Sequence, residues 1–399
     1  MNKKILIIPS WYPNNQNVLI GSFFKEQALL LNKNGFEVKV LFGNEKHLNL
    51  INYLKIVLKN SFKKKDKLNT NYLIQEPDAY AFNIYHYKKW PSKLKLKKNK
   101  KKYQKALKTL SKKWKPELIH AQCSANAGIY SANLSATFSI PYVIIEHQKF
   151  LIHHLKRYLQ KEVMQVIKNA HKVGAVSYHQ KRCILMHDID CNPKIVWNLV
   201  DETKFQIKEQ NPSLKFTITT ITYPHLIKDS ETFFKSLKVF NTLSNGNFEA
   251  VIIGNDAFND IEKANSSIFK ALAKKYGILD KCIFYPKLSR KEINKQLQQC
   301  NVFVSTSIAE TYGVAVREAM LCGKPVIATK SGGVEDSIVK ETGIIVNIKD
   351  YKAIAENLNK IKNKAIIFAP QTIRNHIIKQ SGTKAFIKTM MDFYNLKDN

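Results

Sequence analysis

The sequence comprises 399 residues, and its 64 Lys and Arg against 31 Asp and Glu give a formal charge of +33 at pH 7. Hydrophobic residues make up 44% of the chain, which is enough to bury a sizeable core and excludes a mainly disordered protein. No apolar run reaches the roughly 18 residues that a membrane-spanning helix needs, and the six cysteines include no CxxC pair. The composition therefore predicts a soluble, strongly basic protein of the cytoplasm with reduced cysteines.

Short apolar strands alternate with helical stretches from one end of the chain to the other. In the first half, a helix is predicted at 23–33 and strands at 4–8, 37–42, 118–120, 142–146 and 173–177. In the second half, the predicted strands are 216–221, 248–254, 282–285, 302–305, 325–329 and 343–346, with helices between them. This alternation is typical of parallel sheets covered by helices, so we predict an α/β protein with two Rossmann-like domains.

The stretch from 191 to 205 separates the two halves. It contains a proline and few regular features, and a fresh strand follows it. We therefore predict an N-terminal domain at 1–200, a second domain at 201–373 and a C-terminal helix at 374–399.

The positive charge is concentrated in the first of these domains. Residues 1–200 carry a net charge of +24, residues 201–373 carry +6, and residues 51–115 alone carry +17. Two stretches of this basic region have an apolar stripe at helical spacing. The first stripe, which three lysines at 63–65 follow, consists of Leu50, Leu54, Leu58 and Phe62. The second stripe consists of Tyr103, Leu107, Leu110 and Trp114.

Three interpretations of these stripes are open. A basic amphipathic helix can lie on an anionic bilayer, both stripes can face the core beneath a solvated lysine surface, or the lysines can neutralise nucleic-acid phosphates. We prefer core packing for the second stripe. For the lysines we prefer an anionic membrane surface over nucleic acid, because no nucleic-acid motif accompanies them.

The segment from 300 to 333 has the form of an anion site. A predicted strand ends at Ser305, a polar loop follows, and a helix begins near Gly313 and ends at Gly323. The first amides of that helix, at Gly313, Val314 and Ala315, lack intrahelical partners, and the helix dipole favours an anion there. A diphosphate would fit this place.

Two carboxylates flank the same helix start. Glu310 lies in the loop ahead of the helix, and Glu318 lies about one turn inside it. Carboxylates only accept hydrogen bonds, which suits the vicinal hydroxyls of a ribose or a hexose. The segment therefore predicts a phosphate site between two diol acceptors.

This segment resembles the donor-binding signature of glycosyltransferase family 4, the retaining enzymes of the GT-B fold. The matching residues are the Glu-x7-Glu pair Glu310 and Glu318, then Ala319 and Met320, and then the Gly-x-Pro-Val of residues 323–326. Residues 10–13 and 21–28 also look like the N-terminal nucleotide-sugar loop of bacterial members that build surface polysaccharides. The resemblance implies two facing Rossmann-like domains and a C-terminal helix that returns to the first.

The resemblance also implies how the donor is bound. Glu318 would hold the ribose hydroxyls, and Glu310, at the catalytic centre, those of the donor sugar. The amides of Tyr312, Gly313, Val314 and Ala315 would hold the diphosphate and sugar. Gly21 would let its loop approach the diphosphate with no side chain in the way.

Three further residues are implied as catalytic. Lys228 matches the lysine that neutralises the departing diphosphate. His120 and His147 are expected at strand ends of the first domain, as acceptor-side contacts near the anomeric carbon. The family pattern is broken before the lysine, where Tyr223 replaces the usual Arg, so either Lys228 and the helix terminus suffice or another cation substitutes.

The implied reaction moves a sugar from a nucleotide diphosphate sugar, with a UDP-sugar expected, to a hydroxyl of a lipid-linked glycan or polysaccharide precursor. It needs no cofactor beyond the donor, no dedicated metal and no covalent nucleophile. Asp188 and Asp190 form a superficial DxD pair that we interpret as a turn. The expected location is the cytoplasmic face of the cell membrane, held peripherally.

Two rival functions stay open at this point. A nucleotide-sugar epimerase of similar two-domain form would turn over its substrate without an acceptor. A non-catalytic basic protein bound to membranes or nucleic acid would turn over nothing. Turnover of nucleotide sugars with glycan or lipid acceptors distinguishes these functions.

Overall fold

Two parallel sheets organise the chain. The structure, a computed structural model, describes residues 3–13, 21–61, 78–208, 215–254 and 267–395. The chain divides into two units. The first unit comprises Met1–Val176, Gln180–Leu199 and Ile387–Asn399, and the second comprises Ser177–His179 and Val200–Phe386. The predicted acceptor and donor roles of the two domains stay predictions.

The first unit is built on a seven-stranded parallel sheet of order β3-β2-β1-β4-β5-β6-β7. Its strands are β1 Lys3–Pro9, β2 Phe36–Leu48, β3 Ala79–Tyr87, β4 Leu118–Gln122, β5 Tyr142–Glu146, β6 Lys172–Ala175 and β7 Lys194–Ile195. The connecting helices are α1 Ser22–Lys33, α2 Leu50–Ser61, α3 Ser92–Leu110, α4 Ile129–Phe138, α5 Arg157–Lys168 and α6 Tyr178–Leu185. Strands β4 and β5 are buried throughout, as expected for central parallel strands covered on both faces.

The two apolar stripes of the basic region have different fates. The second stripe packs into the core of the first unit, where Tyr103, Leu107, Leu110 and Trp114 are each at most 5% exposed. This confirms the core-packing interpretation for that stripe. The first stripe lies on α2, where Leu50, Leu54 and Leu58 are exposed. Its last predicted residue, Phe62, and the lysines at 63–65 lie outside the described residues.

The second unit has a six-stranded parallel sheet of order β10-β9-β8-β11-β12-β13. Its strands are β8 Phe216–Ile221, β9 Phe248–Ile253, β10 Cys282–Tyr285, β11 Val302–Ser305, β12 Val326–Thr329 and β13 Gly343–Val346. Its helices are α7 Ser230–Leu243, α8 Ile268–Lys275, α9 Arg290–Gln299, α10 Val314–Leu321, α11 Tyr351–Lys362, α12 Pro370–Ser381 and the beginning of α13 Thr383–Tyr394. The order reverses between β8 and β11, which is where open α/β sheets bind ligands.

The predicted α/β class with two Rossmann-like domains is confirmed. The single C-terminal helix predicted at 374–399 is two helices, α12 and α13, of which only part of α13 joins the first unit. Helix α13 begins in the second unit, and its residues from Ile387 onward belong to the first. Asp188 lies in a turn with φ of 52°, as predicted for the DxD pair. Across the described part of the chain, no helix has both the length and the apolar character needed to cross a membrane.

Two strand predictions need correction. The strand predicted at 118–120 continues to Gln122, because Ala121 and Gln122 still pair with both neighbouring strands. His120 therefore lies in the middle of β4, whereas the sequence placed it at a strand end. Strand β2 runs six residues beyond the predicted end at Phe42, since it pairs with β3, a strand that the sequence analysis missed.

Candidate functional site

The candidate donor site of the second unit lies at the carboxyl ends of β8, β11 and β12. The loop after β8 and the loop after β11 are joined by Ile308 N–H, which donates to the Ile227 carbonyl at 2.7 Å. The loops after β11 and β12 are joined by Glu310, whose N–H donates to the Ser331 carbonyl at 2.8 Å and whose carbonyl accepts from Gly333 N–H at 2.9 Å. Three loops at the point of strand-order reversal are therefore held as one framework.

This framework brings Lys228 and Glu310 together. The Lys228 ammonium forms a salt bridge with Glu310 Oε1, and Ser307 Oγ donates to the same oxygen at 2.8 Å. The two charged side chains are only 18% and 17% exposed. The Lys228 ammonium also lies 5.2 Å from the ring centroid of Tyr223, the residue that the resemblance places where an Arg is usual. The site thus offers one cation and one carboxylate, each held by polar or aromatic neighbours.

The turn after β12 is shaped to hold Glu310. A Cβ atom on Gly333 would lie 2.1 Å from the Thr311 carbonyl oxygen, so only glycine fits there without moving the backbone. The neighbouring Gly332 has a φ of 109°, a conformation that other residues rarely adopt. Its N–H donates to the Glu335 carboxylate at 2.8 Å. The Gly-Gly pair is therefore required by the close approach of the two loops.

Helix α10 begins at this framework. Gly313 precedes it with a φ of 75°, and a Cβ there would lie 2.4 Å from a Val334 methyl group. The helix starts at Val314, directly after the predicted start near Gly313, so the amides of Val314 and Ala315 belong to its first turn. The Tyr312 side chain is 3% exposed and packs inward. Any contact of Tyr312 with a ligand would therefore come from its backbone.

Glu318 lies one turn into α10 and is paired with a residue that the sequence analysis missed. Arg290 Nη1 donates to Glu318 Oε1 at 2.7 Å, and the Glu318 side chain is only 8% exposed. Arg290 is the first residue of α9, which Ser289 and Glu292 cap reciprocally. Because the cap fixes the start of α9, it also fixes the backbone position from which the Arg290 side chain extends.

A second missed residue, Arg317, lies in the first turn of α10 itself. It is fully buried, with its Cζ atom 3.6 Å from the Tyr312 ring centroid, and Nη2 donates to the Gly333 carbonyl at 3.1 Å. Burial lowers the pKa of the Arg317 guanidinium, and nearby Glu310 and Asp336 act in the opposite direction. The first turn of α10 thus carries a buried guanidinium that contacts the Gly332–Gly333 turn.

The sequence did contain a signal for these residues. Of the 64 basic residues only five are Arg, which leaves 59 Lys. Three of the five contact α10 or its partners. Besides Arg290 and Arg317, Arg374 donates to the carbonyls of Leu321, Phe205 and Glu202. In so lysine-rich a chain, an Arg marks a place where a planar group with several donors is needed.

In the first unit, Gly21 lies directly before α1 with a φ of 66°. A Cβ there would lie 2.7 Å from the Trp11 carbonyl oxygen. Glycine is therefore required by the local backbone, and its predicted approach to a diphosphate stays a prediction.

His120 and His147 are both buried in the first unit. The Nδ1 atom of His120 lies 2.8 Å from the hydroxyl of Tyr394 on α13, and burial lowers the pKa of His120 to about 3. His147 follows β5 directly and packs edge-on against Phe24, with ring centroids 4.9 Å apart. Burial lowers its pKa to about 3 as well. At neutral pH both imidazoles are uncharged, so they suit hydrogen bonding better than charge neutralisation.

Comparisons with known proteins agree with this geometry. Residues 204–382, which contain the whole candidate donor site, match the sequence profile of the family described as Glycosyl transferases group 1. This match supports the predicted glycosyltransferase class for this part of the chain.

Three similar proteins illustrate the range of relatives. One subunit of the human phosphatidylinositol N-acetylglucosaminyltransferase is 24% identical over 65% of this chain, which spans only 53% of that protein. The putative teichuronic acid biosynthesis glycosyltransferase TuaC of Bacillus subtilis is 24% identical over 91% of this chain and 90% of its own length. Anabaena Alr3699/HepE, solved in complex with UDP, has a TM-score of 0.70 at 15% identity, covering 98% of this chain and 99% of its own. This structural likeness confirms the GT-B fold.

Proposed function

We propose that the protein transfers a sugar from a nucleotide diphosphate sugar, with UDP as the nucleotide, to a hydroxyl of a lipid-linked glycan or a cell-surface polysaccharide precursor. The anomeric configuration is retained, as in glycosyltransferase family 4. The observation that carries this proposal is the Lys228–Glu310 pair, held beside the start of α10 at the strand-order reversal. A cation, a helix terminus and a carboxylate are what a diphosphate-linked sugar requires from a site.

The chemistry follows from these groups. The bond between the anomeric carbon and the diphosphate oxygen breaks, and its electron pair leaves with the diphosphate. The acceptor oxygen bonds to the same face of the sugar, and its proton passes to an oxygen of the leaving phosphate. Lys228 and the amides of Val314 and Ala315 oppose the negative charge that grows on the diphosphate.

The Lys228–Glu310 pair also suggests the order in which the donor contacts the two residues. Without donor, the ammonium and the carboxylate neutralise each other. When the diphosphate arrives it competes for Lys228, which leaves Glu310 able to accept hydrogen bonds from the sugar hydroxyls. Glu318 takes the ribose hydroxyls in the same way, sharing its carboxylate with Arg290.

Two relatives support the choice of substrates. HepE was solved with UDP, which supports a uridine donor. The name of TuaC refers to teichuronic acid biosynthesis, which supports a surface-polysaccharide acceptor. The net charge of +24 on residues 1–200 supports an anionic membrane surface on the cytoplasmic side as the place where a lipid-linked acceptor is met.

The experiment is a turnover assay of the full chain with a panel of nucleotide sugars and with lipid-linked or soluble glycan acceptors. We expect Lys228→Ala and Glu318→Gln each to reduce transfer about 100-fold or more, with unchanged thermal melting. The matched controls are Lys235→Ala on α7 and Glu341→Gln, whose side chains are 42% and 48% exposed and lie outside the site. Near-normal transfer in both site variants would refute the site.

The same assay separates the rival functions. Interconversion of nucleotide sugars without an acceptor would indicate an epimerase. No turnover of any nucleotide sugar, with liposome or nucleic-acid binding intact, would indicate a binding protein.

A further inference from the structure

Helix α2 presents an apolar face that the described residues of its own unit leave exposed. Four of its aliphatic side chains are 49% to 66% exposed, namely Leu50, Ile51, Leu54 and Leu58. At 100° per residue these positions fall within an arc of about 100° on one side of the helix. Exposed apolar groups gathered on one face in this way mark an interaction surface.

The rest of the helix is arranged around that face. Lys55 and Lys59 are exposed along one margin, and α2 contains no acidic residue. Beyond the other margin, Tyr53 fastens the helix to the unit, with its ring centroid 5.1 Å from that of Trp90 and its hydroxyl accepting from Lys98 Nζ at 3.3 Å. The helix is therefore anchored by its polar-aromatic side, with the aliphatic face turned outward.

The position of α2 in the fold is equally specific. Strand β1 pairs with β2 only as far as Val40, while β2 and β3 remain paired to Leu48 and Tyr87. The β2–β3 ribbon thus extends about 26 Å past the shared sheet, in the direction of the carboxyl ends of the strands. Helix α2 starts immediately after this ribbon. The helix therefore lies beyond the carboxyl-end edge of the sheet, on the side where parallel sheets bind ligands.

We infer that α2 docks on an anionic lipid bilayer, with its aliphatic face at the boundary between headgroups and acyl chains and Lys55 and Lys59 among the headgroups. The charge of +17 over residues 51–115 is complementary to such a surface. This inference deepens the proposed function, on which it rests for the presence of an acceptor at the membrane. Docking through α2 brings the ligand edge of the first unit to the lipid, where a lipid-linked hydroxyl is presented.

The test is flotation of the full chain with phosphatidylcholine vesicles that contain or lack phosphatidylglycerol. The double variant Leu54→Gln/Leu58→Gln should bind the anionic vesicles at least about tenfold more weakly, because two apolar side chains no longer leave water. The matched controls Met186→Gln and Ile367→Gln change side chains that are 80% and 78% exposed elsewhere, and should bind as the native chain does. Lys55→Gln/Lys59→Gln should weaken binding most at low salt.

Three results would overturn the inference. One is equal vesicle binding by the native chain and the Leu54/Leu58 variant, and another is equal binding to neutral and anionic vesicles. The third is a concentration-dependent dimer in analytical ultracentrifugation that the same variant abolishes, since the face would then belong to a second copy. Flotation needs no turnover, so a failed transfer assay refutes the proposed function and leaves this result standing. The variant should also retain transfer to a water-soluble acceptor.

Discussion

The two buried histidines of the first unit predict an acid-sensitive fold. His120 is 1% exposed and His147 is 9% exposed, and burial lowers the pKa of each to about 3. In the unfolded chain both have a pKa near 6.5. The unfolded state therefore binds two protons between pH 6.5 and 3 that the folded state does not bind.

The sign and size of the effect follow from linkage. As pH falls below 6.5 the unfolded state is stabilised by protonation, so the free energy of unfolding falls by up to about 1.4 kcal/mol per pH unit for each histidine. Between pH 7.5 and pH 5 each histidine should lower the free energy of unfolding by about 2 kcal/mol, and the pair should lower it by about 4 kcal/mol. This is a large part of the stability of an ordinary domain.

The assay is chemical denaturation of the native chain and of His120→Asn, His147→Asn and the double variant at pH 7.5 and pH 5. Asparagine does not titrate, so each single variant should lose about 2 kcal/mol less than the native chain over this interval. Replacement of the exposed His154 by Asn should leave the loss of stability between pH 7.5 and pH 5 the same as in the native chain. If the double variant loses as much stability as the native chain, the histidines are not held neutral by burial.

Two further predictions concern the glycine turn and the cation behind it. Gly333→Ala should lower the free energy of unfolding by about 2 kcal/mol and weaken donor binding, because the Cβ would meet the Thr311 carbonyl; unchanged melting and unchanged nucleotide titration would contradict this. Arg317→Met keeps apolar volume and removes the buried charge, so calorimetry should show a larger loss of affinity for UDP than for UMP or uridine. Equal losses for all three ligands would mean that Arg317 only supports the fold.

The sequence predicted those features that depend on neighbouring residues. Short apolar runs such as Val302–Ser305 became strands with the predicted bounds, and α10 began after Gly313 as expected. Helical periodicity alone could not tell the buried stripe of α3 from the exposed stripe of α2. That difference is set by β3, whose pairing with β2 carries α2 away from the sheet, and polar residues such as Asn44 and Lys46 hid the extension of β2.

Contacts between residues distant in sequence could not be predicted either, because they also depend on how the strands pair and the helices pack. The His120–Tyr394 hydrogen bond spans 274 residues, and Arg290 reaches Glu318 over 28 residues. Neither spacing leaves a local pattern. The role of a residue could be predicted where it belongs to a sequence motif. The residue that it contacts could be identified only from the folded structure.

The break in the family pattern at Tyr223 can now be interpreted in terms of charge. The resemblance implies an arginine in the loop after β8 as a partner of the diphosphate, and Tyr223 stands in its place, but two other cations lie near the start of α10. Lys228 is paired with Glu310 in the loop ahead of α10, and Arg317 belongs to α10 itself, where its burial keeps solvent from screening its charge. Burying an arginine is costly, and this one lies against the turn that holds Glu310. The positive potential at the helix terminus therefore depends on the protein interior as well as on the loop, which is why the affinity for successive phosphates is the measurement that decides the role of Arg317.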